Sequence, residues 1–294
     1  MLNAALISLI ILLYTLQSFW CKKYTDSYPG KADNASPVFT VVSGLTVVVV
    51  AFVMSGFTFF AKPLTILLGV ANALVLAGYN YFIIKCSQLG PYSILMVFNL
   101  AGGISLPAVF AVIAFGDEMS LWKALAILAV FASVYMVSYR KEEKESKKSR
   151  GFLLCCLALG ICNGAYGVLF DAQQRLTGAD EKEEMVALTF GIAATICFIL
   201  LLVKEKKATL PAFSQNRRSL VYLIACSLVV ASAINLLVYI LRLVDVTLLY
   251  TLDNAGVLLL SVLASAIFFK EKLSKLNAIG CITMCIALVC VSIF

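Results

Sequence analysis

Ten apolar runs, each close to the length of a bilayer crossing, leave this chain few ways to fold. A helix needs roughly 20 mainly apolar residues to cross ~30 Å of hydrocarbon. By that test the spans fall at about 3–20, 38–60, 64–85, 91–115, 121–139, 151–170, 184–203, 219–241, 246–269 and 276–293. Hydrophobic residues make up 62% of the chain and charged residues 13%. A soluble domain is nearer half and a quarter, so this much apolar surface has no aqueous globule to hide in. The expected fold class is an all-α integral membrane protein with ten transmembrane helices. The opening MLNAALISLIILLYTLQSFW has no basic n-region and no small-x-small cleavage site, and it reads as a first span.

The last two spans have a counterpart earlier in the chain. Slid back by 154 positions, 245–293 lies without a gap over 91–139. Leu95/Leu249, Ala101/Ala255, Gly102/Gly256, Leu106/Leu260, Phe115/Phe269, Ser120/Ser274, Ala124/Ala278 and Ser138/Ser292 match outright. Apolar helices share Leu and Ala by chance. An Ala-Gly pair, a Phe-x-acid-x-x-Ser turn and an ungapped register are harder to obtain that way. The most polar stretch, RKEEKESKKSR at 140–150, separates five spans from five. The expected organisation is therefore a first five-helix repeat over 1–139, a charged cytoplasmic linker over 140–150 and a second repeat over 151–294. Five is odd, so the two halves enter the membrane from opposite sides, as inverted repeats with a solute site near the midplane between them.

Charge sets the expected orientation. Of the 23 Lys and Arg residues, only Lys62, Lys123, Arg175, Lys182 and Arg242 fall after even-numbered spans. The positive-inside rule places the other loops in the cytoplasm and both termini outside, with the cell membrane as the expected location. Basic residues confined to these loops say nothing in favour of nucleic acid. The ten cysteines lie mostly inside apolar runs (Cys155, Cys156, Cys162, Cys197, Cys226) with no C-x-x-C pair, and histidine is absent. No disulfide framework, metal site or cofactor is expected. No Walker-type loop is present for an ATP motor, and an intramembrane enzyme would need paired carboxylates or a Ser/His set at membrane depth. A receptor or scaffold needs no repeat, so the repeat counts against that class.

The run GPYSILMVFNLAGG…PAVFAVIAFGDEMS, repeated as DVTLLYTLDNAG…SAIFFKEKLSKLNAIG, resembles the EamA-like branch of the drug/metabolite transporter superfamily. In that family two five-span halves each close with an Asn- or Gly-containing helix and an F-x-(G/K)-E-x-(L/M)-S-type turn. The resemblance is sharp over 91–139 and 245–294 and covers the rest at the level of architecture. It implies export or exchange of small solutes by alternating access through a central cavity. The solute expected first is amino-acid-like or drug-like, with an organophosphate or nucleotide sugar second. Two departures stand out: Lys270 occupies the usual Gly position of the second turn, and family members are drawn with cytoplasmic termini.

Asp253 is the most informative residue. It lies about seven residues into its span, on the order of 10 Å deep, where an ionisable group marks a substrate or ion pathway. Its structural alternative is a bond to Thr251, Asn254 or a neighbouring helix. Its repeat partner is Asn99, and the pair would bracket a cavity with one titratable and one fixed polar group. Protonation of Asp253 is the expected coupling event, should coupling to protons exist. Further cavity candidates are Asn80, Asn163, Tyr166, Asn235, Tyr239, Tyr250 and Asn254, with Tyr14 and Gln17 in the span matching that of Asn163. Lys85 and Arg242 sit at span ends and favour snorkelling; turned inward, they would favour an anionic solute. Gly160 and Gly164 form a G-x-x-x-G suited to close helix approach. Gly102, Gly103 and Gly256 permit close packing or a gate, and a kink or unwinding is expected at Pro107. Asn34 heads a glycosylation tripeptide expected to be unmodified in the cytoplasm.

Overall fold

The computed structural model describes residues 2–29, 32–118, 120–138, 147–177, 181–204, 216–240, 243, 246–270 and 274–293. Among these, all regular structure is helical: α1 (Leu2–Ser27), α2 (Ala32–Met54), α3 (Pro63–Leu89), α4 (Tyr92–Phe115), α5 (Leu121–Ser138), α6 (Lys147–Thr177), α7 (Lys182–Lys204), α8 (Arg217–Ile240), α9 (Val246–Phe268) and α10 (Lys275–Ile293). Seven of these helices are long and apolar enough to cross a membrane, and Ala124–Met136, Asp253–Phe268 and Lys275–Ala287 are shorter apolar stretches. The number of such helices makes the chain multi-pass, and their helical form follows from backbone chemistry, because in lipid a helix satisfies each N–H and C=O internally.

Local chemistry sets the helix ends. The second span, expected at 38–60, is instead α2 at Ala32–Met54. Its apolar continuation GFTFFA leaves the helix because Gly56 and Phe57 take φ of 65° and 62°. Asn34, of the glycosylation tripeptide, is buried in the first turns of α2. Pro91 caps the start of α4, which runs through Pro107 without a break in the helix and ends on Gly116 at φ 72°. The repeat-equivalent residue after α9 is Lys270, at φ 53°. Both α4 and α9 are thus followed by a left-handed residue, and α9 manages this without glycine. Ser274 caps α10, its hydroxyl oxygen accepting the Asn277 N–H at 3.1 Å. Most of the charged linker, 140–146, lies outside the described residues.

The helices sort into two compact units. Unit 1 holds residues 1–15, 89–168 and 240–294; unit 2 holds 16–88 and 169–239. Within unit 2, α2 packs along α7. A Cβ on Gly44 would meet the Phe190 carbonyl oxygen at 2.7 Å and Ala194 at 2.9 Å, whereas one on Gly191 would meet Val48 at 3.4 Å. Phe52, near the end of α2, lines one pocket with Glu183 and Glu184 at the start of α7, so the pair is antiparallel. Within unit 1, α5 packs along α10, α4 touches α5 and α9, and α9 packs on α10. Asn277 at the start of α10 donates to the Met136 carbonyl near the end of α5 at 3.3 Å, so that pair is antiparallel too.

Candidate solute site

Unit 1 is built around a seam between α4 and α6. Gly102 lies against the backbone of Gly160, so close that an added Cβ would collide with the Gly160 carbonyl. A Cβ on Gly160 would meet the Phe98 carbonyl oxygen at 2.6 Å, and one on Gly164 the Gly102 carbonyl oxygen at 2.5 Å. The G-x-x-x-G of α6 therefore finds its partner on α4. Glycine is required on both sides because backbone on each side leaves nothing to move aside. Along the seam the Asn163 amide nitrogen donates to the Asn99 carbonyl at 2.8 Å, and Gly103 faces that same nitrogen. Gly167 packs on Pro107, where an added Cβ would lie 3.0 Å from the ring.

α9 completes this region. Tyr92, which opens α4, and Phe269, just past the end of α9, have ring centroids 5.6 Å apart. The two helices therefore run antiparallel. Asn99 and Asp253 each sit seven residues past the first residue of their helix, about 10 Å along it. Asn99 then shares a level with Ser261, and Asp253 lies within about 5 Å of the level of Ser105. All four are buried, at 6%, 0%, 6% and 4% exposure for Asn99, Ser261, Asp253 and Ser105. The Asn99 Oδ1, Ser105 Oγ, Asp253 Oδ1 and Ser261 Oγ atoms have no hydrogen-bond partner among the described residues. Buried polar atoms are nearly always paired, and four unpaired oxygens on two touching helices mark a place that a polar guest or water would fill. Gly256, one turn beyond Asp253, packs on Ile11 of α1.

The remaining candidates are dispersed. Tyr14, Tyr166 and Asn254 are half-buried in unit 1. In unit 2, the Asn80 amide donates to Thr40 Oγ1 at 3.1 Å, and that of Asn235 to its own helix at the Ala231 carbonyl, 2.9 Å away. Gln17 keeps a buried oxygen with no partner among the described residues, and Tyr239 is 47% exposed. The Lys85 ammonium donates to Tyr81 on its own helix at 2.7 Å. Arg242 and the side chain of Tyr250 lie outside the described residues.

Two features escaped the sequence reading. Asn72 in α3 is fully buried with neither amide atom hydrogen-bonded among the described residues. As an amide mid-span in LLGVANALVL, it carried the same signal of polarity at membrane depth as Asp253. The second is Glu181, at the start of α7 and 5% exposed. Its carboxylate accepts the Thr65 hydroxyl at 2.6 Å and the Lys62 backbone N–H at 2.9 Å. The Lys62 ammonium pairs with it at 3.0 Å and also donates to the Thr177 carbonyl at the end of α6. Burial pushes the Glu181 carboxyl up, but the Thr65 and Lys62 hydrogen bonds and the Lys62 charge outweigh it, holding the group below the usual carboxylate range. Residues from α3, α6 and α7 are thus clamped at one end of unit 2. No short motif announces such a cluster, because its members come from three separate segments.

Comparison with known proteins gives three findings. Residues 149–293 match the model of the EamA-like transporter family. No curated protein matches the chain. A solved structure titled "Crystal structure of protein" aligns with a TM-score of 0.65 at 15% identity, over 99% of this chain and 96% of that one. At that identity the likeness is one of fold, and it runs the whole length of the chain.

Proposed function

This chain is a multi-pass membrane transporter of the EamA-like, drug/metabolite type, and from that premise we propose that it is a secondary active exporter of small metabolites. In this reading alternating access operates between two inverted five-helix repeats, 1–139 and 151–294, joined by a charged cytoplasmic linker. The observation that carries the solute site is the set of unpartnered buried oxygens on α4 and α9, with Asn99 and Asp253 at its two levels.

Three observations support the repeats. The unit boundaries at residues 15/16 and 88/89 recur, displaced by 154 to within a few residues, at 168/169 and 239/240. Helices α2 and α7 pack together, as do α5 and α10, and each pair is one of repeat mates. Gly116 and Lys270 share the left-handed conformation at equivalent turns. The odd-numbered loops would be cytoplasmic, both termini outside, and the protein would sit in the cell membrane. An organophosphate reading would need Lys85 or Arg242 turned inward, and Lys85 is engaged by Tyr81 of its own helix.

The test is counterflow in liposomes of purified protein against amino acids, cationic drugs and sugar phosphates, with and without a pH gradient. Solute-specific exchange, with pH dependence lost in Asp253→Asn, is the expected result. Folded protein that moves nothing on the panel would favour a non-transporting receptor.

A further inference from the structure

Taking the transporter reading as its basis, we infer that the group recognised at Asp253 is a protonated amine, on a solute that carries neither a carboxylate nor a phosphate. Four buried oxygens on α4 and α9 have no partner among the described residues, Asn99 Oδ1 and Ser261 Oγ at one level and Ser105 Oγ and Asp253 Oδ1 at the other; the Asn99 and Asp253 oxygens accept, and the serine hydroxyls can accept or donate. Each belongs to a side chain more than nine-tenths buried. Along the seam the Asn163 amide donates to the Asn99 backbone carbonyl.

Charge points the same way. Within unit 1, α4 and α9 carry no Lys or Arg. Lys123, Lys147, Lys148, Arg150 and Lys275 fall within the first four residues of α5, α6 and α10. Asp253 is therefore the lone charge-bearing side chain at depth on the helices that hold the four oxygens. A phosphate or carboxylate entering here would be stripped of water and set against the Asp253 carboxylate; the two serine hydroxyls could donate to it, but no Lys or Arg on α4 or α9 would answer its charge. An ammonium brings three donors and a charge opposite to that of Asp253, and charge-assisted hydrogen bonds are the strong ones. A zwitterion would gain at one end and lose at the other.

The experiment uses the full chain and three probes that share a ring and differ in their charged head: 2-phenylethylamine, phenylalanine and phenyl phosphate. Binding is read as a thermal shift in detergent and transport as counterflow in liposomes. The expected result is at least a tenfold preference for the amine, falling roughly tenfold to a hundredfold in Asp253→Asn. Severalfold losses are expected in Ser105→Ala and Ser261→Ala, with all variants monodisperse. Preference for phenylalanine or phenyl phosphate, or amine binding indifferent to Asp253→Asn, overturns the proposal while leaving transport standing. Amine binding that depends on Asp253 without flux leaves the recognised group in place and removes the transporter reading. The absence of both binding and flux overturns the two together.

Discussion

Glu181 and Asp253 are both buried carboxylic acids, one in each unit, and their surroundings are opposite. Glu181 stands at a helix start, met by a hydroxyl, a backbone N–H and an ammonium. Asp253 stands mid-helix, with an oxygen that no described group answers. A buried charge costs several kcal/mol unless it is paired. An acid that is fully answered by its own protein contributes stability and has little left to offer a guest. An acid left unanswered is tolerated where a guest or water completes it. The same functional group is thus a clamp in one unit and, in the proposed reading, a receptor in the other.

The contrast can be broken most severely at Asp253. Asp253→Asn should lower exchange of the preferred solute about tenfold to a hundredfold, with a Tm in detergent equal to or above wild type. A Tm loss with intact exchange would make Asp253 another structural acid.

A second way to break it is through the seam that holds α4 in place. Gly102→Ala drives a Cβ into the Gly160 carbonyl and should destabilise by about 3 kcal/mol. Gly191→Ala meets Val48 at an ordinary 3.4 Å and should leave the Tm near wild type. Equal melting of the two variants would mean that α4 is loose enough to turn its oxygens towards other partners.

Glu181→Gln should do the converse of Asp253→Asn: a loss of about 2 kcal/mol from the charge-assisted bonds, seen as a lower Tm, with solute preference unchanged. The pH dependence sharpens this. The folded carboxyl sits below its ordinary value of 4.5, so the unfolded chain takes up the proton first as pH falls. The wild-type advantage over Glu181→Gln should be full above pH 4.5 and shrink below it, as the folded group protonates. A gap that closes between pH 7 and 5 would contradict an ionised clamp.

The smallest expected effect lies in the second repeat turn. Lys270 holds φ 53° where the equivalent Gly116 holds 72°. Lys270→Gly should raise stability by about 1 kcal/mol by relieving the left-handed strain, and Gly116→Lys should lower it by a similar amount.

Much of the fold was legible because helices in lipid are decided locally. Where the reading missed, the cause was also local. The run to residue 60 looked like span, yet Gly56 and Phe57 turn left-handed and end α2 at Met54. The deep acid was legible at Asp253 from its place in an apolar run. Asn72 bears the same mark, an amide in mid-span. Ser105 and Ser261 carried no mark, since a serine in a span is unremarkable until its hydroxyl is found buried and unbonded.

By itself the sequence determined a membrane chain of ten helical segments and the presence of one acid at depth. Each of these follows from composition, from run length and from the demand that a backbone in lipid satisfy itself. Only the tertiary structure decided that the G-x-x-x-G of α6 closes on Gly102, that Lys62 and Thr65 converge on Glu181, and that four oxygens of α4 and α9 have no partner among the described residues. Those outcomes depend on which helix faces meet across long stretches of chain. Apolar faces are interchangeable in lipid, so the choice falls to shape and hydrogen bonding between distant residues.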